Sequence, residues 1–418
     1  MAAAPRGRDA PSNRLRQALL WSPVALALVA AWFFAASRLW NSSTVPDDLR
    51  LPHLDPHDYF SAAFIERASD YERFLRIDFV LSAIVLLVVL GLYARYGERF
   101  TRESAAGRIG TGMLLGMLGF AFVWLSQLPF SLAGLWWERR HGISKQGYLE
   151  SIVGGFVGLG GQFVFICVAI GIVMAIATVF RRQWWIVCAP VFVGLGLLFA
   201  FVQPFLLTDL HGLRNQKVAA DARTIARTEG VPDVPVKVEK VRKQTTAPNA
   251  EAVGIGSSRR VILWDTLLDG RFDRREVRTI VAHEFGHIQR NHVLEGVGWF
   301  GLAIIPTAFL IALATRRRGG MYQPEAVPVA ILALVAIQVA TIPLQNILSR
   351  HVEKEADWIA LQTTHDPSAA KNAFRELGTA SRTEPRPPTW AYVLFDNHPT
   401  IIQRIAMVRA WERRDSGR

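Results

Sequence analysis

Residues 279–315 read TIVAHEFGHIQRNHVLEGVGWFGLAIIPTAFLIALAT, a polar helical segment that runs directly into an apolar stretch long enough to cross a bilayer. The polar half holds His283-Glu284-Phe285-Gly286-His287. Residues four apart on an α-helix sit ~40° apart in projection and ~6 Å apart along the axis, so both imidazoles can reach one metal ion. Glu284 flanks that position, where it can hold or deprotonate a water in the H-E-x-x-H manner. Pentads of this kind also arise by chance on surface helices, so the surroundings must carry the argument.

Those surroundings are membranous. The chain has 418 residues, 51% of them apolar, with a mean hydropathy of +0.21, more than an ordinary soluble domain carries. Seven stretches are long and apolar enough to span: 18–37, 79–95, 109–136, 152–180, 184–207, 294–315 and 326–348. The first follows Arg6, Arg8, Arg14 and Arg16 as a signal peptide would, but it lacks a clear small-x-small cleavage site before Asn41 and is expected to remain as an anchor. Gly154, Gly155, Gly158, Gly160 and Gly161 in the fourth stretch suggest close helix packing.

The net charge of +12 is spread over loops flanking the apolar stretches rather than interleaved with aromatics on one face, which points to a lipid bilayer and away from nucleic acid. Forty arginines against seven lysines suggest a bacterial source, hence an inner membrane. Charge does not fix the orientation. Arg6, Arg8, Arg14, Arg16, Arg95, Arg99, Arg102, Arg108, Arg181, Arg182 and Arg316 to Arg318 on the amino-terminal side are matched by comparable numbers opposite, among them Arg38, Arg139, Arg140, Arg290 and Arg350. Cys167 and Cys188 both lie in apolar stretches, so any metal must use His, Asp or Glu.

An odd number of spans puts 208–293 and 349–418 on the same face. The first polar segment reads as a helix over about 215–227, an alternating run through Val234, Val236 and Val238 that Pro235 demotes to an edge strand, short strands at 250–254 and 261–264, and a helix from about Arg274 that carries the pentad.

A catalytic zinc usually takes three protein ligands and keeps one open position. Glu295 sits about two turns farther along the pentad helix and cannot bend back, and Glu325 falls on the wrong face. The tail offers Glu353, Glu355 and Asp357 on a helix that emerges from the last span. Glu353 and Asp357 share a face, while Glu355 points ~200° away. Glu353 as ligand, with Asp357 orienting a ligand histidine, is the economical assignment.

With these residues in place the chain resembles a family. Ser349-Arg350-x-x-Glu353-x-x-Ala356-Asp357 looks like the glutamate-ligand motif of the membrane zinc metallopeptidases typified by the type I CAAX prenyl protease, with HtpX-type proteases as shorter relatives. His283-Glu284-x-x-His287-x-x-x-Asn291-His292, the strand pair Asn249-Ala250 to Gly254 and Val261 to Leu268, His398-Pro399 with Arg404-Ile405, and the loop Trp137 to Gln146 resemble further blocks of that family. Ser144, where asparagine is usual, and Glu251-Ala252, in place of an aromatic pair, depart from it.

The resemblance implies a mainly α polytopic fold, about seven transmembrane helices enclosing a chamber, with a small α+β zinc-peptidase domain. The membrane region would be 1–207, and 208–418 the peptidase domain with spans 294–315 and 326–348. One zinc ion would be held by His283, His287 and Glu353. Glu284 would act as general base. His398 could donate to the developing oxyanion or instead cap a helix, while Asp357, Arg404 and His292 would support the ligands. Asn249 and Ala250 would bind an extended peptide substrate by strand addition. The site would face the cytoplasm. Expected substrates are CAAX-like carboxy termini or misfolded membrane-protein segments. A catalytically silent zinc-bound chaperone or tether is the alternative, and a transporter, which gives no reason for the motif, the more remote one.

Overall fold

The computed structural model describes residues 11–101, 106–207 and 209–415, and of residues 11–25, 101, 156, 157 and 159 the backbone alone; Arg6, Arg8 and Arg102 of the charge count lie outside the described residues. It divides into two compact units, Met1–Ser43 and Thr44–Arg418. The first holds α1 (Pro11–Trp40), whose described apolar part is Leu26–Trp40.

In the second unit the long helices are α2 (Ala62–Tyr96), α3 (Gly107–Arg140), α4 (Tyr148–Phe180) and α5 (Trp184–Leu206). After β1 (Leu210–Gly212), α6 (Gln216–Thr228), β2 (Val236–Glu239), β3 (Ala250–Val253) and β4 (Arg260–Trp264) come α7 (Arg274–Gln289), α8 (His292–Thr315) and α9 (Val327–Thr364). The tail forms α10 (Pro367–Ser381), α11 (Thr389–Phe395) and α12 (Ile401–Asp415).

Among the described residues five segments are long and apolar enough to cross a membrane: Ala62–Phe100, Gly107–Arg140, Tyr148–Leu206, His292–Arg318 and Pro324–Thr364. The third, at 59 residues, is about 90 Å of helix, far longer than one ~30 Å crossing needs. It is broken at Arg181–Gln183 into α4 and α5, which pack against each other as a hairpin. Helix contacts close a ring in the order α2, α3, α4, α5, α8, α9 and back to α2.

The ring is tightened by glycines, but not those expected. Among the described residues a Cβ at Gly154, Gly158, Gly160 or Gly161 would meet nothing within 4 Å and one at Gly155 would make only an ordinary contact, 3.6 Å from Trp124 Nε1, so these residues of α4 do not mediate close packing. The close approach is on α3, where a Cβ at Gly112 would lie 2.0 Å from Met174 Sδ and one at Gly116 2.0 Å from Ile170 Cδ1. Small residues every fourth position on α3 let it lie against the bulkier face of α4.

The sheet order is β1-β2-β4-β3, with β2 parallel to β4 and the outer pairs antiparallel. β2 is therefore interior, not an edge. Pro235 escapes the usual penalty because it lies one residue before the strand and contributes only its carbonyl, to Val261 N at 3.0 Å. Strands β1 and β3 are the two edges, and β3 is the one beside α7. Alternation puts Val261 and Leu263 of β4 into a core with Val218 and Ile225 of α6 and Val281 and Phe285 of α7, each fully buried apolar side chain stabilising the fold by roughly 1.5–3 kcal/mol.

Two connections join the polar and apolar parts. The loop after α3 pairs with the segment before β3: Lys145 N donates to Gln244 O at 2.7 Å and Thr246 N to Ile143 O at 2.8 Å. The segment between α1 and α2 packs Val45, Leu49, Leu51, Leu54 and Phe60 onto a second core formed by Trp358 of α9, Phe374 of α10 and Ile405 and Trp411 of α12.

Candidate metal centre

Helix α7 begins where its sequence says it should. Asp273 accepts from Arg275 N and Glu276 N at 2.7 and 2.9 Å, and Glu276 accepts from Asp273 N at 2.9 Å, a reciprocal cap. The two residues inside the pentad serve packing: Phe285 is fully buried in the sheet-side core, and a Cβ on Gly286 would lie 3.2 Å from Ile359 of α9. Gly286 thus lets α9 approach closely enough for its carboxylates to reach the pentad.

His283, His287 and Glu353 each offer a ligand atom, all within 4.8 Å of one another. The Nε2 atoms of the two histidines are 3.0 Å apart, with Glu353 Oε2 3.2 Å from His283 Nε2 and Oε1 3.6 Å from His287 Nε2. Ligands ~2.0–2.1 Å from a tetrahedral zinc are ~3.3 Å apart, so the spacing suits that ion. The donor chemistry agrees. Glu353 Oε2 is buried with no hydrogen-bond partner although imidazole nitrogens surround it, which is the state of a group shaped for a cation.

Two chains of hydrogen bonds fix the rings. His283 Nδ1 donates to Asp357 Oδ1 at 2.9 Å, and Asp357 accepts in turn from Arg404 Nε at 2.9 Å and Nη2 at 2.5 Å, while that guanidinium lies 4.1 Å over the Phe374 ring. On the other side His287 Nδ1 faces His292 Nδ1 at 2.9 Å, and His292 Nε2 faces Glu355 Oε2 at 3.0 Å. One proton arrangement satisfies every partner: His292 donates through Nε2 to Glu355 and accepts through Nδ1 from His287. Both ligand rings then turn a lone pair at Nε2 toward the centre.

Glu355 completes this second chain and was not anticipated. It is 2% exposed, pairs with Arg290 Nε at 2.9 Å, and accepts from Thr44 N at 2.6 Å. Its direction, away from Glu353, is as helical geometry requires, but it meets His292 rather than water. That meeting depends on a break in the chain. Asn291 adopts φ +56° and ψ +39°, ending α7 and starting α8, so Glu295 lies on a new helix and not two turns along the pentad helix as the sequence suggests.

Glu284 is 7% exposed. Burial pushes its carboxyl up to about 7, with His283 opposing and the charges of Glu353 and Glu251 adding to the rise. Burial would also lower His283, but its hydrogen bond to Asp357 and the neighbouring carboxylate charge of Glu353 reverse this and lift it to about 10; His287, where burial dominates, falls to about 3.

His398 Nε2 is 3.3 Å from Glu353 Oε2, on a half-exposed side chain. It does not cap α12. Thr400 does so, its Oγ1 accepting from Gln403 N at 3.1 Å while Gln403 Oε1 accepts from Thr400 N at 3.0 Å. The loop before α12 is held by Arg350, whose guanidinium donates to Tyr392 O and Asp396 O at 3.0 and 2.5 Å. Asn249 O accepts from Trp264 N at 2.9 Å and Ala250 pairs with Leu263, so the outer side of β3 is left open next to α7.

Residues 212–412 match the model of Peptidase family M48. The chain is 22% identical over 416 residues to the uncharacterized metalloprotease YhfN of Bacillus subtilis, covering 94% of this chain and 96% of that one. It is 24% identical to a CAAX prenyl protease 1 homolog of Oryza sativa, covering 70% of this chain and 72% of the relative, and 29% identical over 189 residues to a protease HtpX homolog of Kineococcus radiotolerans. The crystal structure of S. mikatae Ste24p shares the fold, with a TM-score of 0.69 at 18% identity over 91% of this chain and 96% of that chain.

Proposed function

We infer that this chain, a multi-pass membrane metalloendopeptidase resembling the type I CAAX prenyl protease family, cleaves extended peptide segments at a single zinc held by His283, His287 and Glu353. The observation that carries this reading is the convergence of the three ligand atoms beside a buried carboxylate, Glu284, with both ligand rings oriented by separate hydrogen-bonded chains. Zinc, when bound, supplies Lewis acidity that polarises the scissile carbonyl and acidifies the attacking water.

The residues of the chain do the rest. Glu284 takes one proton from the water as its oxygen attacks the carbonyl carbon, then passes that proton to the departing amine nitrogen as the C–N bond breaks. The raised affinity of its carboxyl for protons, which comes from burial, suits a group that must both accept and return one. His398, whose Nε2 is 3.3 Å from Glu353 Oε2, would donate to the oxygen of the scissile carbonyl, which gains charge during attack. Strand β3 offers its free edge from Asn249 to Val253 for an extended peptide to pair with, next to α7.

Residues 208–418 would be the peptidase domain and 1–207 a membrane region, with the closed ring of helices walling a chamber. Substrates would be carboxy-terminal CAAX-like segments, as the names of the plant relatives suggest, or damaged membrane proteins. The site would face the cytoplasm of a bacterial inner membrane. A Glu284→Gln variant tests the core of the reading. It should retain one zinc per chain by elemental analysis and lose peptide cleavage by ~10²–10⁴-fold. Cleavage at the wild-type rate would remove Glu284 from the mechanism, and loss of zinc would mean that it is a ligand. Carboxy-terminal proteomics of wild-type and Glu284→Gln cells would identify the substrates.

A further inference from the structure

At the end of the helix ring opposite the metal centre, the α4–α5 and α8–α9 turns enclose a pocket of about 540 Å³. Helix α8 runs to it from His292, and its 24 residues make ~36 Å, so the pocket lies roughly one bilayer thickness from the zinc ligands. Arg181, Arg182 and Arg316 line its mouth. Trp185, Phe309 and Leu313 line its wall, the first two in edge-to-face contact at 5.2 Å.

Among the described residues no carboxylate lies within ion-pair distance of Arg181, Arg182 or Arg316, whereas the neighbouring Arg318 is paired with Glu98. Arg181 is held in place twice over. Its backbone takes φ +48° and ψ −107°, a region that side chains other than glycine seldom occupy, and its guanidinium stacks 4.4 Å from the Tyr322 ring. A strained residue whose charge meets no carboxylate among the described residues, at the rim of a pocket, marks a place where a ligand can supply the anion.

The shape identifies the anion's source. A free phosphate needs the cations but not the aromatic wall below them. A phospholipid needs both, with its phosphate at the interface and its acyl chains against Trp185, Phe309 and Leu313. Trp184, 4% exposed, also lines an adjoining apolar cavity of about 180 Å³ between α4, α5, α8 and α9, which extends the apolar surface inward. We propose that this pocket binds the headgroup phosphate of an anionic phospholipid in the leaflet opposite the metal centre. Basic pockets between membrane helices recognise lipid headgroups through such arginines, and each arginine in contact is worth roughly fivefold in affinity.

The test uses the delipidated full-length protein in neutral detergent, with bound lipid counted by native mass spectrometry during titration with phosphatidylglycerol or phosphatidylcholine. One phosphatidylglycerol should bind at least roughly tenfold more tightly than phosphatidylcholine. That preference should vanish in R181A/R182A/R316A and survive in R223A/R227A, which removes two exposed arginines of α6. Equal binding of the two lipids by the wild-type protein would overturn the proposal without recourse to any variant. So would a preference that persists in the triple variant. Displacement of phosphatidylglycerol by millimolar inorganic phosphate would also overturn it, since the site would then belong to a free anion.

Discussion

Replacing Asp357 by asparagine should separate two jobs that one carboxylate performs. Asp357 is 1% exposed and accepts three hydrogen bonds: Oδ1 from His283 Nδ1 and Arg404 Nη2, Oδ2 from Arg404 Nε. An asparagine oxygen in the Oδ1 position preserves the bond from His283 but turns an NH2 toward Arg404 Nε, donor against donor at 2.9 Å. The opposite flip restores that bond and sets the NH2 against His283. Either way Arg404, itself 9% exposed, loses its one carboxylate partner among the described residues and becomes a buried uncompensated cation, which costs about 3–5 kcal/mol.

Metal affinity should fall separately, by ~10–100-fold, because His283 is no longer oriented by an anion. Unfolding of the metal-free protein in detergent measures the first effect, and zinc retention across a chelator series the second. The double variant D357N/R404L removes the stranded cation and should regain most of the stability while zinc binding stays weak. If D357N holds zinc as tightly as wild type, Asp357 does not orient His283. If the double variant is no more stable than the single, the stranded-cation argument is wrong.

Three further outcomes are expected. His292→Ala cuts the chain from His287 to Glu355 and should weaken zinc retention by ~10-fold or more, measured by the same chelator series. Gly254→Ala places a Cβ 2.5 Å from the backbone oxygen of Ser258 at φ +85°, where neither atom can yield cheaply; a loss of more than ~1 kcal/mol in unfolding free energy is expected, together with weaker peptide binding at the neighbouring β3 edge. Glu229 at the end of α6 is 4% exposed, and burial pushes its carboxyl up to about 8, with Thr363 and His283 opposing. The folded chain then holds this proton more tightly than the unfolded one, so the stabilisation is full below about pH 4.5 and is lost as pH rises through 8, by at most about 5 kcal/mol. Glu229→Gln should therefore match wild type near pH 4 and unfold at a higher temperature at pH 9, and equal melting at both would refute it.

The sequence made the pentad legible because helical spacing of two histidines is a local property, and it placed Glu353 and Asp357 together because both lie on one unbroken helix, α9. Glu355 was legible in direction but not in destiny. Its partner His292 arrives only because Asn291 turns left-handed, and asparagine there carries no glycine or proline to announce a break. The glycines of α4 misled for a related reason: their spacing resembles a packing face, yet whether such a face meets another helix is decided by neighbours that spacing cannot specify. Pro235 misled by one residue, the distance between interrupting a strand and preceding it.

The proposed metal centre would draw two ligands from α7, before the α8–α9 hairpin, and the third from the far end of α9, after it. As the chain emerges during synthesis, His283 and His287 appear with no carboxylate to complete them, and they stay incomplete until both membrane helices have been made and returned Glu353 to the same side. On the proposed ligand set, membrane insertion would be a precondition of hydrolytic competence. A nascent or truncated chain that stalls before α9 would carry the whole pentad and cut nothing, so the order of synthesis would itself guard against an unanchored protease.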